Sequence, residues 1–493
     1  MKKFLAALAA LIVVLGGGAV VAVPLVEDYS ARQIKEQFEA EGLVTVEQVS
    51  VGLFERRVEL TNVQGRGANG YSAGMWSASG LAWPLTEIVR GRLPLEGLKI
   101  GDPIKAEHIE VRDFKLSDMS GNVWKFGRIS IEGVELARYD GDVGPGRYGL
   151  TVLGARALAA LSVRRLEERD VSFAVAGGPG GFTAASLTLE NLEGGRIGAL
   201  AVSDFRTLGP NSDVPVFSVA EFRIAGLDGG KVLAAMSAPS WMPGMPIGRL
   251  GLDKANASGF GGELLARFGI SLESITADFD HSNAKLMRGR TRISNFVLAP
   301  PLRGVDAIQL RIAMTAMGLK EARLDFDCSG VEDRTRSELV IERCALTGRD
   351  LAEIDFTMKV IDADDTFWRA LDEGDLYNVY SSRAAIGSAR LTLADRSLIE
   401  RAIRAVAVSS RQPAATVRSQ FAQEIRRFQP AGVLITEDLT KLLDNVARFV
   451  EQGGTLVVEA KPDPPFALER VGYLMTPGPD LVTTLGISAR LSR

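Results

Sequence analysis

Along most of this chain apolar and polar residues alternate, and the alternation breaks in one recurring way. Each break reads apolar, any, apolar, any, then Asn, Asp or Gly, then apolar. Copies occur at Val58-Glu-Leu-Thr-Asn-Val63, Ile109-Glu-Val-Arg-Asp-Phe114 and Ile129-Ser-Ile-Glu-Gly-Val134. Others are Leu187-Thr-Leu-Glu-Asn-Leu192, Leu200-Ala-Val-Ser-Asp-Phe205 and Phe222-Arg-Ile-Ala-Gly-Leu227, with a blurred copy from Thr291 to Phe296. Period-two alternation places one row of side chains on an apolar face and the next on a polar face. The last apolar residue of each copy follows the previous one by three positions, so the parity slips. A β-bulge that absorbs one extra residue has this effect, and Gly or Asn tolerates the left-handed backbone involved. Repeated bulges bend strands, so the pattern predicts an antiparallel sheet curved into a groove or an open barrel. The plainer alternative is a sheet with one wet face and a closed core beneath the other. The copies are irregularly spaced, which excludes a fixed-period solenoid.

The candidate apolar lining is therefore Val58, Leu60, Ile129, Ile131, Leu187, Leu189, Leu200, Val202, Phe222 and Ile224. Strand-like alternation continues at Leu324, Phe326 and Cys328, and at Ile308, Leu310 and Ile312. The stretch from Thr151 to Arg169 fits a helix early and a strand late. From Asp395 the period changes to about 3.6 residues. One stripe is Leu398, Ile399, Ala402, Ile403 and Val406; the next is Val417, Phe421, Ile425 and Phe428. A third has Thr436 as N-cap, Leu439, Leu442, Leu443, Val446, Phe449 and Val450 on one face, and Gly453 as its stop. Thr455 to Ala460 reads as a closing strand.

At the N-terminus, Lys2 and Lys3 precede an uncharged run from Phe4 to Val26. At about 1.5 Å per residue such a helix spans a hydrocarbon core about 30 Å thick. The basic pair orients the N-terminus inward and the body outward. Two outcomes stay open: a retained anchor, or a signal peptide cleaved near Val20-Val-Ala22. Tyr29 to Glu41 then reads as a short amphipathic helix with Ile34 and Phe38 on one face and Gly42 at its end. The expected organisation is an anchor or signal segment over 1–26, the helix over 27–43, a β-rich region over 44–385 and an α+β domain over 386–493. In class the chain is mainly β with α.

Composition changes this picture little. Hydrophobic residues are 46%, charged residues 24% and the formal net charge is −4, which is globular and lacks the basic excess of a nucleic-acid binder. Export would place Cys328 and Cys344 in an oxidising space and make them a candidate disulfide. A hairpin turning near Asp333 sets about Leu339 opposite Cys328, so pairing requires a bulge or another strand order. Two buried free thiols are the alternative.

Candidate chemistry is sparse. His108 and His281 stand far apart, and no zinc, Walker or Rossmann signature is present. Gly70-Tyr-Ser72-Ala-Gly74 matches the Gly-x-Ser-x-Gly elbow of serine esterases, yet a glycine-bearing polar stretch precedes it and no helical stripe follows. The acidic run Ile361-Asp-Ala-Asp-Asp365 lacks the glycine and distal glutamate of a calcium loop. The expectation is no catalytic residue, no metal and no cofactor. Trp241-Met-Pro-Gly-Met245 fits the lining of an apolar site, and equally core packing or a loop plug.

The N-terminal segment, the short helix and the opening copy of the pattern, from Val49-Ser-Val51 through Val63, resemble the AsmA-like envelope proteins of Gram-negative bacteria. The stretch from Phe449 to Pro462 is similar to uncharacterised alphaproteobacterial envelope proteins. The resemblance implies a protein tethered to the inner membrane by one span, its body in the periplasm and its β-groove moving or organising lipids. It implies membrane lipids and other envelope proteins as partners, and no nucleic acid. A scaffold that presents the C-terminal domain to an envelope assembly is the alternative function, and a serine esterase resting on Ser72 a distant third.

Overall fold

The computed structural model describes residues 23–492, apart from 41, 43, 66–69, 93–97, 145–146, 179, 210–213, 243–249, 302–306, 430–433 and 476–479. The predicted anchor lies, but for its last four residues, outside them. Among the described residues no helix is long and apolar enough to cross a membrane. The chain divides into two compact units: Met1–Pro215 with Ala225–Pro243, and Val216–Ile224 with Gly244–Arg493.

Unit 1 opens with a helix over 23–40 (α1) and the strands β1 (Val44–Thr45), β2 (Gln48–Gly52), β3 (Arg57–Gly65) and β4 (Tyr71–Ser79). The helix α2 (Leu85–Val89) leads to β5 (Ile104–Ser117) and β6 (Val123–Leu136). Helix α3 (Gly149–Ala160), β7 (Leu161–Ala174), β8 (Gly181–Glu193) and β9 (Arg196–Leu208) follow. The stretch from Thr151 to Arg169 is thus helix first and strand afterwards. The chain of β10 (Phe217–Asp228) is divided between the units and precedes α4 (Gly230–Met236). β3 pairs with β1 and β2 on one side and β4 on the other; each later strand pairs with the next through β9, always antiparallel. This sheet is open, since no pairing among the described residues joins its first strands to β9.

Unit 2 begins with β11 (Lys254–Gly261), α5 (Glu263–Phe268), β12 (Ile270–Ser271), β13 (Ser274–Asn283) and β14 (Leu286–Leu298). Helix α6 (Ile308–Ala316), β15 (Ala322–Asp333), β16 (Glu338–Gly348) and β17 (Ala352–Ile361) come next. Then come α7 (Asp365–Glu373), α8 (Leu376–Tyr380), β18 (Ala385–Asp395) and the helices α9 (Leu398–Ser410), α10 (Ala414–Arg427) and α11 (Glu437–Gln452). The chain closes with β19 (Thr455–Ala460), β20 (Phe466–Ala467), a 3-10 segment (Leu468–Met475), α12 (Leu481–Thr484) and β21 (Ile487–Ser492). From β13 to β19 successive long strands pair antiparallel, and β21 pairs with β19. The change of texture near 385 is a gain of helices, while β18 and β19 continue the sheet inside unit 2.

The recurring break has a clear backbone origin. Its fifth residue has positive φ in every copy, blurred one included: Asn62, Asp113, Gly133, Asn191, Asp204, Gly226 and Asn295. In unit 1, however, these are not bulges in the register sense. Thr61 faces Met75 and Val63 faces Ala73, so Asn62 lies level with Gly74 and nothing shifts. The same holds for Asp113 beside Gly127, bracketed by Arg112–Arg128 and Phe114–Phe126. Every strand from β3 to β9 carries the extra residue at one level, so neighbours slip parity together and the register survives. The level runs Asn62, Gly74, Asp113, Gly127, Asp170, Ala185, Asp204, with positive φ on alternate strands only. A Cβ on Gly127 would stand 2.9 Å from the Asp170 carboxylate, which explains the small residue opposite each left-handed Asp. A second level runs Gly80, Glu107, Gly133, Arg164, Asn191, Gly198, with positive φ on the other strands. In unit 2 the expected bulges do occur, with register shifts between Ile293 and Phe296 and between Ser329 and Gly330.

One core is built where α1 and α2 meet the first strands: Ile34, Val49, Val51, Val58, Leu60, Trp83 and Ile88 are buried together. Ser30 Oγ donates to the Ile88 carbonyl at 2.7 Å, and the Leu53 amide donates to Glu27 Oε1 at 2.9 Å. In unit 2, Phe367 and Trp368 of α7 pack with Val360, Ala384 and Leu468. Helix α11 lies on β19 and β21, its Thr436 Oγ1 accepting from the Leu439 amide at 3.3 Å. The expected strand through Ile308, Leu310 and Ile312 is instead α6. Ile308 and Ile312 also satisfy helical i, i+4 spacing, and Ala313, Met314 and Ala316 extend it with good helix formers.

Candidate functional site

The preserved register of unit 1 assembles side chains into rows that cross the sheet. One row joins Val58, Ala78, Ile109, Ile131, Leu166, Leu189 and Leu200, each facing the next. The adjacent row joins Leu60, Trp76, Val111, Ile129, Glu168, Leu187 and Val202. Beyond the first left-handed level the apolar face becomes aromatic. Phe114 faces Phe126, Trp124 faces Phe173 and Phe173 faces Phe182. Ring centroids lie 4.5 Å apart for Trp124–Phe173 and 5.5 Å for Phe173–Phe182. The parity slip keeps these rings on the apolar face: Val63, Ala73 and Phe114 belong to the same packed cluster as Leu60 and Ala78.

Over the first strands this face is covered by α1. Val58 and Leu60 are 2% and 6% exposed beneath α1, so these two members of the expected lining are packed core. Ile129, Ile131, Leu187, Leu189, Leu200 and Val202 are partly exposed. Phe222 and Ile224 fall in unit 2, Phe222 at 36% exposure. Unit 2 has its own exposed apolar row in Leu346 and Ile354, which face each other at 39% and 37% exposure.

The opposite face of unit 1 is charged. Glu110 accepts from Arg112 at 2.8 Å and lies 3.0 Å from Arg128, while Glu167 pairs with Arg165 and Arg169. Burial acts upward on the Glu110 carboxyl, but the hydrogen bond from Arg112 and the charges of Arg128, Arg112 and His108 hold it below the usual range. Such exposed pairs add little stability and make the face wettable. Glu168 is the exception to this sorting. It occupies an apolar row between Ile129 and Leu187, makes no hydrogen bond or ion pair among the described residues, and burial pushes its carboxyl up.

Sequence reasoning passed over Glu168 because it disguises a further copy of the repeat. Leu166-Glu-Glu168-Arg-Asp170-Val171 has the left-handed Asp in place, with Glu where the second apolar residue stands elsewhere. The aromatic rows were also missed, since they lie beyond the break in parity.

Cys328 and Cys344 stand opposite each other in β15 and β16 and form a disulfide. The expected register was off because the turn spans 334–337, with Asp333 facing Glu338, and one further residue is absorbed beside Gly330. Ser72 lies inside β4, facing Gln64 and Lys115, without the strand–turn–helix geometry of a nucleophile elbow. His281 bonds the Leu252 carbonyl at 2.9 Å, and Asp364 caps α7 through the Phe367 amide. No cluster of metal-binding side chains occurs among the described residues. Most of the Trp241-to-Met245 stretch lies outside them.

A family model described as "Uncharacterized protein" matches residues 345–491. No curated protein matches the chain.

Proposed function

We propose that this is an envelope protein that binds lipids on the open apolar face of unit 1 and helps to transfer or organise them. The observation that carries the reading is the pair of partly exposed, mainly apolar rows across β6–β9, backed by a charged face. Monomeric proteins rarely leave large contiguous apolar patches in water, and those that do use them for binding. The strands β5–β9 are 13 or 14 residues long, or about 45 Å at 3.3 Å per residue. An acyl chain in one leaflet spans about 15 Å, half the hydrocarbon core, so whole chains fit along the strands. The resemblance to AsmA-like proteins, the apolar N-terminal run and the disulfide support a body exported to the periplasm and held at the inner membrane.

Purified full-length protein should carry lipid that organic extraction and mass spectrometry detect. Leu189→Asp combined with Leu200→Asp should reduce that lipid about tenfold or more, because each carboxylate interrupts the apolar row. A double variant that folds and retains wild-type lipid would refute the reading.

A further inference from the structure

Glu168 carries an inference that rests on the lipid-binding reading and adds a ligand class to it. Ile129 and Leu187 face it directly, and Leu166 lies two positions along its own strand. The charged groups nearest in sequence or register, Glu167, Arg169 and Arg128, belong to the opposite face. There Glu167 pairs with Arg169, and Arg128 pairs with Glu110. The residues diagonal to Glu168 on β6 and β8 are Ile131 and Leu189, so no titratable group approaches it from either neighbour. On this face the carboxylate is half-buried and meets water, and a cation with hydrogen-bond donors would hold it more firmly than water does. Among the described residues no side chain supplies either.

Position adds to chemistry. From Glu168 the strand β7 continues to Leu161 in one direction and Ala174 in the other. That is about 20 Å of sheet each way, more than the roughly 15 Å of one acyl chain. The aliphatic rows lie on one side and the aromatic rows on the other.

We propose that Glu168 is the recognition point for a lipid whose headgroup bears a primary ammonium, its acyl chains lying parallel to β7 on either side of it. An ammonium brings both a positive charge and three N–H donors to an acceptor-only carboxylate. A purely anionic headgroup sets like charge beside it, and a quaternary ammonium offers charge without donors.

Full-length protein in non-ionic detergent is mixed with vesicles of equal parts phosphatidylethanolamine, phosphatidylglycerol and phosphatidylcholine, then re-isolated, and its lipids are counted by mass spectrometry. We expect phosphatidylethanolamine to exceed phosphatidylglycerol about tenfold on the wild type, the scale of one charge-assisted contact. Glu168→Gln should bring the ratio close to that of the vesicles, and Glu168→Lys should turn it toward phosphatidylglycerol. Should the lysine variant not fold, the near-isosteric glutamine variant decides alone. Retention in the vesicle ratio by the wild type, or an unchanged preference in Glu168→Gln, overturns the inference and leaves the lipid-binding reading intact. A wild type that retains no lipid overturns both.

Discussion

The two units use the same sequence device with different structural results. In unit 1 the left-handed residues are aligned across strands, the extra residue is shared by all, and the register never moves. In unit 2 the ladder between the strand of left-handed Asn295 and β15 shifts by one residue. A bulge is therefore a relation between strands and not a property of a motif. The units differ in cover as well. The apolar rows of β6–β9 in unit 1 stay partly exposed, while α11 packs on β19 and β21 in unit 2.

The difference in cover yields the largest expected effect. Phe449, on the buried side of α11, is 3% exposed, and Phe449→Ala should cost about 3–5 kcal/mol in chemical denaturation. Leu189→Ala on the partly exposed face should cost about 1 kcal/mol. Equal losses would mean that the face of unit 1 is closed after all. Next comes the lock on the shifted register. Cys328 and Cys344 are 16 positions apart, and Cys328→Ser with Cys344→Ser should lower the stability of unit 2 by about 3 kcal/mol. Hydrogen exchange should then rise in β15 and β16 and stay unchanged in β5–β9. The aligned level is probed by Asp113→Val, which forces a branched side chain to φ of 53° and should cost about 2 kcal/mol in thermal denaturation. Asp113→Gly should cost much less, and similar losses for both would show that the left-handed backbone is not what the position demands.

The smallest effect concerns pH. Burial raises the Glu168 carboxyl above its ordinary value. A carboxyl raised by folding favours the folded state fully below its unfolded value, and that contribution is lost as pH rises through the folded value. Relative to wild type, Glu168→Gln should therefore melt higher at pH 7 and gain nothing near pH 4. A constant difference between the two pH values would contradict the raised carboxyl.

Much of this was legible in the residues themselves. The stripes from Leu398 to Phe449 became α9, α10 and α11, with Thr436 and Gly453 at the ends of α11 as read. The Asn, Asp and Gly of each repeat declared their backbone because few other residues adopt it. What stayed hidden is relational. Whether an extra residue shifts the register depends on the neighbouring strand, so Cys328 was set against the wrong partner. Short apolar runs such as Ile308 to Ile312 fit either period until their surroundings decide. Glu168 looked like one more surface charge until its row was assembled.

The alternation of left-handed and small residues along each level has a consequence for how such a sheet can grow. Asn62, Asp113, Asp170 and Asp204 occupy every second strand, with Gly74, Gly127 and Ala185 between them. Deleting or duplicating a single strand would bring two carboxylates, or two glycines, to the same junction. Hairpins are the smallest piece that can be gained or lost without disturbing the pattern. Descent with change in length should therefore proceed in steps of two strands, and lengths that differ by an odd number should be rare among related sheets of this kind.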